Sequence, residues 1–297
     1  MFECIREISK AINDNLNKTL VATVEKKITG KGKRLYAISQ HFRDDFVIEF
    51  SFKLEKEFFN LIKAHNELII KKENEVTLRA ISSMPIENGV YEQGTDGWLN
   101  ERLGFITASN NPFTITGHPV PTFNQYVYKK VAEFLKFKVL KEEREETYTT
   151  KGMMRGHTYE PIAREAYEIE ELAIVEEVPF KFNSNHRIGV SLDGINTSNQ
   201  RGVEIKCPSE LSVFLAHWHD GHLCQVYSSQ IQFQMLVTGI KSVDLVVFYP
   251  HFEPHVTEIK ADESIHLNMA RTIDLFNEKF DQILETMEQF IDPSLTF

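Results

Sequence analysis

The sequence predicts an α/β (α+β) chain of two domains, and three observations predict it. Apolar residues alternate between the helical and the strand period along nearly the whole chain. A stretch around 82–97, with Pro85, Gly89, Gly94 and Gly97 and no periodicity, divides a short N-terminal region from a longer C-terminal one. Within the C-terminal region, neighbouring strand-like segments carry acid and base together: Ser191-Leu192-Asp193-Gly194-Ile195, then Gly202-Val203-Glu204-Ile205-Lys206-Cys207-Pro208.

The first domain is expected over 1–85. Ile5, Ile8, Ile12 and Leu16 give a helix stripe over 2–17. Strands at 19–28 and 34–40 flank Thr29-Gly30-Lys31-Gly32-Lys33, a hairpin signal, and 46–50 reads as a third strand. A helix follows at 54–65, with Phe58, Phe59, Leu61 and Ile62 on its apolar face, and 67–70 with 76–81 reads as a closing hairpin. Residues 86–97 are expected to be a linker, and 98–297 the second domain. There the patterns predict helices at 98–103, 123–138, 152–170, 209–218, 224–238 and 263–290, and strands at 173–176, 179–183, 188–193, 202–207, 242–250 and 253–259.

Composition excludes several classes. No apolar run approaches the roughly 20 residues of a membrane span. The first residues lack the basic-then-apolar form of a secretory signal. Cys4, Cys207 and Cys224 are widely spaced, with no disulfide framework or metal spacing, so a reducing, cytoplasmic location is expected. Net charge is −10, which weighs against nucleic acid unless bases gather in one channel. Residues 1–85 hold 15 Lys/Arg against 12 Asp/Glu, so the acidity lies in the C-terminal region.

In an extended strand side chains alternate, so Glu204 and Lys206 share a face, with Val203 and Ile205 behind. Carboxylates beside a lysine suit metal-assisted cleavage of phosphodiesters. The carboxylates hold a hard divalent cation, which polarises phosphate and acidifies water, and the lysine orients that water. The spacing alone is common, and Glu25-Lys26-Lys27 and Glu258-Ile259-Lys260 match it too. A solvated cross-strand ion pair is the plain alternative. On the helix around Gly156-His157-Thr158-Tyr159-Glu160, Glu160 shares a face with Ala163 and Tyr167. It reads either as a metal or water ligand or as an i, i+4 partner of Arg164. Gln230 and Gln234 share another helical face. Arg102, a glycine turn, Thr107 and Ser109 read as an anion clamp at a helix start or as plain N-capping. His217, His219, Asp220 and His222 read as a helix end rather than a zinc site.

Taken together these segments resemble one family. The order Trp-x-x-x-Arg-x-Gly-x-Ile-Thr-Ala-Ser, Gly-x-x-Tyr-Glu, Ser-x-Asp-Gly, Gly-x-Glu-x-Lys-Cys-Pro and Tyr-x-x-Gln-x-Gln is similar to the lambda exonuclease, or YqaJ-type viral recombinase, branch of the PD-(D/E)xK nucleases. The resemblance covers about 98–250. It implies a restriction-endonuclease-like core, a mixed central sheet flanked by helices, and 5′→3′ digestion of double-stranded DNA to leave 3′ overhangs for phage-type recombination. By resemblance, Asp193, Glu204, Glu160 and the Ile205 carbonyl hold Mg²⁺, with Mn²⁺ as substitute and two ions expected. Gln230 completes the site, and Lys206 serves the attacking water. Arg102, Ser109 and Ser191 take a 5′-terminal phosphate. Leu192 stands where the family has Pro. DNA ends, a single-strand annealing protein and a homotrimer are the implied partners, with no membrane. The alternatives are an endonuclease or nickase on the same core, or a DNA-end-binding regulatory protein working through residues 1–85.

Overall fold

The computed structural model describes residues 83–142 and 151–291 throughout. Before them it describes strands at 22–29, 32–39 and 47–50 and helical positions between 60 and 77. The chain divides into two compact units, Met1–Thr77 and Leu78–Phe297.

In the first unit β1 (Ala22–Thr29), β2 (Gly32–Ser39) and β3 (Val47–Phe50) form an antiparallel sheet in that order. The β1–β2 register closes at Thr29 and Gly32, the turn that the glycines announce. The helix expected at 2–17 lies outside the described residues. One expectation is corrected. Glu67, Leu68, Ile70–Lys72 and Asn74–Thr77 are helical, so no hairpin closes this unit. The β-branched run suggested a strand. Charges at helical spacing prevail, as in the i, i+4 pair of Lys63 and Glu67 at 3.8 Å.

The second unit holds two mixed sheets. In chain order its elements are β4 (Glu87–Asn88), α1 (Asp96–Glu101), β5 (Ile106–Thr107), α2 (Phe123–Glu133), a π-helical turn (Phe134–Val139) and α3 (Lys151–Glu171). Then come β6 (Val175–Glu176), β7 (Lys181–Asn183), β8 (Ile188–Val190), β9 (Gly194–Asn196) and β10 (Gly202–Lys206). The chain continues through α4 (Leu211–Asp220), α5 (His222–Val226), α6 (Ser228–Thr238), β11 (Ser242–Val247), β12 (His255–Lys260) and α7 (Glu263–Glu288). One sheet runs β12-β11-β10-β9-β6, parallel only between β10 and β11. The other runs β4-β7-β8-β5, parallel only between β5 and β8.

Residues 86–97 are not a linker. β4 pairs with β7, Gly89 N–H donates to the Phe180 carbonyl, and Thr95 caps α1. Gly89 here serves a close backbone approach to the sheet rather than a loose tether: a Cβ on it would stand 3.0 Å from the Phe180 Cβ and 3.3 Å from the Phe180 carbonyl oxygen.

Strand alternation places the site. Val203 and Ile205 of β10 bury against Ala163 and Tyr167 of α3. Leu245 and Val247, which stand beside Glu204 and Lys206 in the parallel register, bury on the opposite face with Phe214, Ile231 and Met235. Glu204 and Lys206 therefore project toward α6. The largest core lies between the second sheet and α2, α6 and α7, with Ile106, Val127, Ile188, Phe233, Ile273 and Phe276. Asp262 caps α7 by accepting from the Ser264 and Ile265 N–H groups at 2.9 and 3.1 Å.

Candidate active site

Glu204 is 1 % exposed, and a buried carboxylate needs partners. It has three. Lys206 Nζ and Gln230 Nε2 donate to its Oε1, and Gln234 Nε2 donates to its Oε2 at 2.6 Å. Both glutamines come from one face of α6, one turn apart. Lys206 also stands over the Tyr227 ring at 4.7 Å. Asp193 follows β8 at a bend, and its Oδ2 accepts from the Ile205 N–H at 2.7 Å.

Charge is unbalanced here. Burial pushes the Asp193 carboxyl well above the usual range, and the fields of Glu204 and Glu160 add to it, against Lys206 and the Ile205 N–H. Burial alone would lower the Lys206 ammonium. Glu204 and Asp193 more than offset that and hold it above the ordinary lysine value. Glu160 of α3 lines, with Asp193, Lys206 and Tyr227, a cavity of about 480 Å³. Glu160 accepts from Arg164 at 3.3 Å, the i, i+4 pair that the sequence offered, and Arg164 in turn pairs with Glu177 at 2.6 Å.

Three carboxylates around one ammonium leave an excess of negative oxygen, the donor chemistry of a hard divalent cation. Among the described residues no three His, Cys, Asp or Glu side chains stand close enough to hold a metal as they are. Glu204 is committed to Lys206 and the two glutamines, and Asp193 to the Ile205 N–H. The donors fit the ion in kind.

A second cluster adjoins the first. The Arg102 guanidinium lies on the Trp98 ring, 3.9 Å from its centroid, and Nη2 donates to Ser109 Oγ at 3.1 Å. Trp98 Nε1 donates to Ser191 Oγ at 3.1 Å, and the Ser191 carbonyl accepts from Gln234 Nε2 at 3.1 Å. A continuous line thus runs from Glu204 through Gln234, Ser191 and Trp98 to Arg102 and Ser109. Burial pushes the Arg102 guanidinium down to about 10, and its buried Nε has no acceptor among the described residues.

Two expectations are corrected. Thr107 and Ser109 open no helix: Thr107 ends β5 and Ser109 follows in a turn, so no helix N-terminus contributes there. The predicted helix at 98–103 begins two residues earlier, because Thr95 rather than a later residue caps it. The histidines mark a helix end. Gly221 closes α4 in a left-handed conformation, and its N–H donates to the His217 carbonyl. His217 is buried edge-on to His255, their ring centroids 4.8 Å apart, while His219 and His222 are exposed. Sequence reasoning gave no role to Trp98, Tyr227 or Gln234. Helical spacing carried the signal, since Trp98 lies four residues before Arg102 and Gln234 four after Gln230.

Residues 97–241 match the family model of the YqaJ-like viral recombinase domain. Among solved structures the chain is similar to an alkaline exonuclease (LHK-Exo) from Laribacter hongkongensis, at 24 % identity and a TM-score of 0.56, over 66 % of this chain and 97 % of that one. The same enzyme in complex with dAMP matches at 24 % identity and a TM-score of 0.55, with the same coverage. No curated protein matches the chain in sequence. The chain shares its fold with this alkaline exonuclease.

Proposed function

We propose, from residues 97–241 being a YqaJ-like viral recombinase domain, that the protein is a metal-dependent exonuclease that digests double-stranded DNA from its 5′ ends. The observation that carries this reading is the line from Glu204 to Arg102. It ties a buried carboxylate–lysine pair to a desolvated, unneutralised guanidinium through single hydrogen bonds and one stacked ring. A strand end held by its phosphate at Arg102 would present a neighbouring phosphodiester to Glu204 and Lys206.

Each residue has a role. Arg102, Ser109 and Ser191 bind the terminal 5′-phosphate, and Trp98 holds Arg102 flat against it. Lys206 presents positive charge to the scissile phosphate and orients the attacking water. Gln230 and Gln234 donate to Glu204 and hold it in place. Asp193, Glu204 and Glu160, with the Ile205 carbonyl, would hold Mg²⁺ or Mn²⁺, up to two ions, which supplies Lewis acidity and a more acidic water. Removal of one strand leaves a 3′ overhang, the substrate of an annealing protein in phage-type recombination. A ring of three copies around DNA is the assembly that the family resemblance suggests. Residues 1–85 have no assigned role in the chemistry.

One digestion tests the reading. Linear duplexes with 5′-phosphate or 5′-hydroxyl ends, and a covalently closed plasmid, are incubated with and without Mg²⁺. Nucleotide release from the linear duplexes alone, only with metal and faster from phosphorylated ends, is expected. Cutting of the closed plasmid would make it an endonuclease, and metal-independent DNA binding without release would make it an end-binding protein.

A further inference from the structure

Beside Arg102 and Ser109 lies a cavity of about 490 Å³, lined also by Lys129, Lys130, Glu133, Lys136 and Phe137 among others. Trp98, Ser191, Asp193, Glu204 and Lys206 do not line it. Arg102 and Ser109 border it while Ser191 and the carboxylates do not, which sets the cavity at the Arg102 end of the line that runs from Glu204. Whatever precedes the phosphate on Arg102 in the DNA strand would enter this space.

Its chemistry suits a nucleotide. Four cations face one carboxylate. Glu133 is already committed to Lys130 at 2.9 Å and to the Gly104 N–H at 3.3 Å. Lys136 pairs with Glu142 only at 3.5 Å, and both side chains are nearly half exposed. Lys129 is exposed, with no acidic partner among the described residues. The Arg102 Nε is buried without an acceptor. Phe137 adds an aromatic face, and cations beside an aromatic ring are how proteins hold single-stranded nucleic acid. Lys136 and Phe137 come from the π-helical turn, where the Leu140 N–H reaches back five residues to the Leu135 carbonyl at 2.9 Å. Such widened turns shape sites that a regular helix would not. The volume falls within the roughly 300–1,000 Å³ of small-ligand sites.

We propose that this cavity is a subsite for one nucleotide upstream of the phosphate held by Arg102. The proposal rests on the nuclease reading above. It has a consequence for ends that lack a terminal phosphate. A 5′-hydroxyl strand advances by one nucleotide, placing its first internal phosphodiester on Arg102 and its terminal nucleoside in the cavity. Water then adds to the next phosphorus, and the bond from that phosphorus to the 3′ oxygen breaks. The 3′ oxygen takes a proton, and a dinucleoside monophosphate leaves. The remaining strand now carries a 5′-phosphate and is shortened one nucleotide at a time.

Two measurements on the full chain test this. In the first, a 5′-hydroxyl duplex is digested in a single turnover with Mg²⁺ and the first product is sized. A dinucleoside monophosphate is expected. Lys129→Glu and, separately, Phe137→Ala should slow 5′-hydroxyl ends more than 5′-phosphate ends by about tenfold, a difference of about 1.4 kcal/mol. In the second, 2′-deoxyadenosine 3′-monophosphate, whose phosphate hangs from the 3′ oxygen as in the shifted strand, is titrated into the protein in EDTA, and the same substitutions should weaken binding about tenfold. Lys129 is a surface residue, so Lys129→Glu remains informative if Phe137→Ala fails to fold. A free nucleoside as first product, equal losses on the two ends, or an unchanged nucleotide affinity overturns the subsite. Were wild type to digest neither duplex, the nuclease reading alone would fall, and the titration would still decide the cavity.

Discussion

Gln234 holds Glu204 from behind: its Nε2 donates to Glu204 Oε2 at 2.6 Å, from a side chain that is wholly buried. The same nitrogen donates to the Ser191 carbonyl at 3.1 Å, so one side chain fixes the carboxylate and the segment just after β8. Gln234→Leu keeps the approximate size and removes the donor. Stability should fall by about 1–3 kcal/mol, the cost of leaving a buried acceptor under-satisfied. Urea unfolding gives that number. Because Glu204 loses its fixed orientation, the Mg²⁺ concentration for half-maximal digestion should rise as well. Unchanged metal dependence would confine Gln234 to a structural role.

Lys206→Ala should lower digestion by two to four powers of ten, roughly the scale of a positioned acid–base group. Glu204→Ala should do at least as much and should also cost stability, since Lys206, Gln230 and Gln234 lose their common acceptor. Rates are compared after far-UV circular dichroism has shown both variants folded. Retention of more than about a tenth of wild-type activity in Lys206→Ala contradicts the assignment.

Metal removal should abolish digestion. Mg²⁺ or Mn²⁺ should restore it, whereas Ca²⁺ should bind and not restore it. All three suit oxygen donors, but the looser and larger Ca²⁺ shell does not align an in-line attack. Full activity in EDTA would sink the carboxylate chemistry of Asp193, Glu204 and Glu160.

Arg102→Ala should collapse the preference for 5′-phosphorylated ends. A terminal phosphate brings more negative charge to the guanidinium than an internal diester does, so the phosphorylated substrate loses more. The ratio of the two rates is the readout. An unaltered ratio means that Arg102 is a structural contact of Trp98, and the 5′→3′ direction goes with it.

His266 gives a prediction about pH. It is buried on α7, its Nε2 has no partner among the described residues, and burial pushes its pKa down to about 4. The unfolded imidazole titrates near 6.5. Above that value both states are neutral and His266 adds no pH dependence. As pH falls from about 6.5 toward 4 the unfolded chain takes up a proton that the folded one refuses, so stability is lost through this window. Asp193, whose carboxyl is raised, contributes in the opposite sense, so the comparison must be a difference. His266→Gln should melt with a shallower fall between pH 7 and pH 4.5 than wild type, and parallel curves would show that His266 does not set the trend.

Much of the second unit was legible because its elements carry their own periodicity. The alternation of Val203, Glu204, Ile205 and Lys206 states in advance which side chains share a face, and β10 obeys it. The order of motifs from Trp98 to Gln232 was likewise enough to point to the family. The failures have local causes. Leu68 and Ile70 look like strand residues in a short window, but helix charge spacing around them prevails. Residues 86–97 look like a tether because glycines mark both loose linkers and close backbone approaches, and only the pairing of β4 with β7 separates the two.

The sequence by itself determined the elements, the acid–base pattern on β10 and the family resemblance of 97–241, since these are properties of residue order and of the two side-chain periods. Only the tertiary structure decided that Gln234 rather than Gln230 alone braces Glu204, that Glu160 serves Arg164 and the Asp193 cavity at once, and that Trp98 joins Ser191 to Arg102. Those relations span intervals of up to 93 residues. No local propensity reaches so far: they arise when buried polar groups, denied water, must find one another across packed elements.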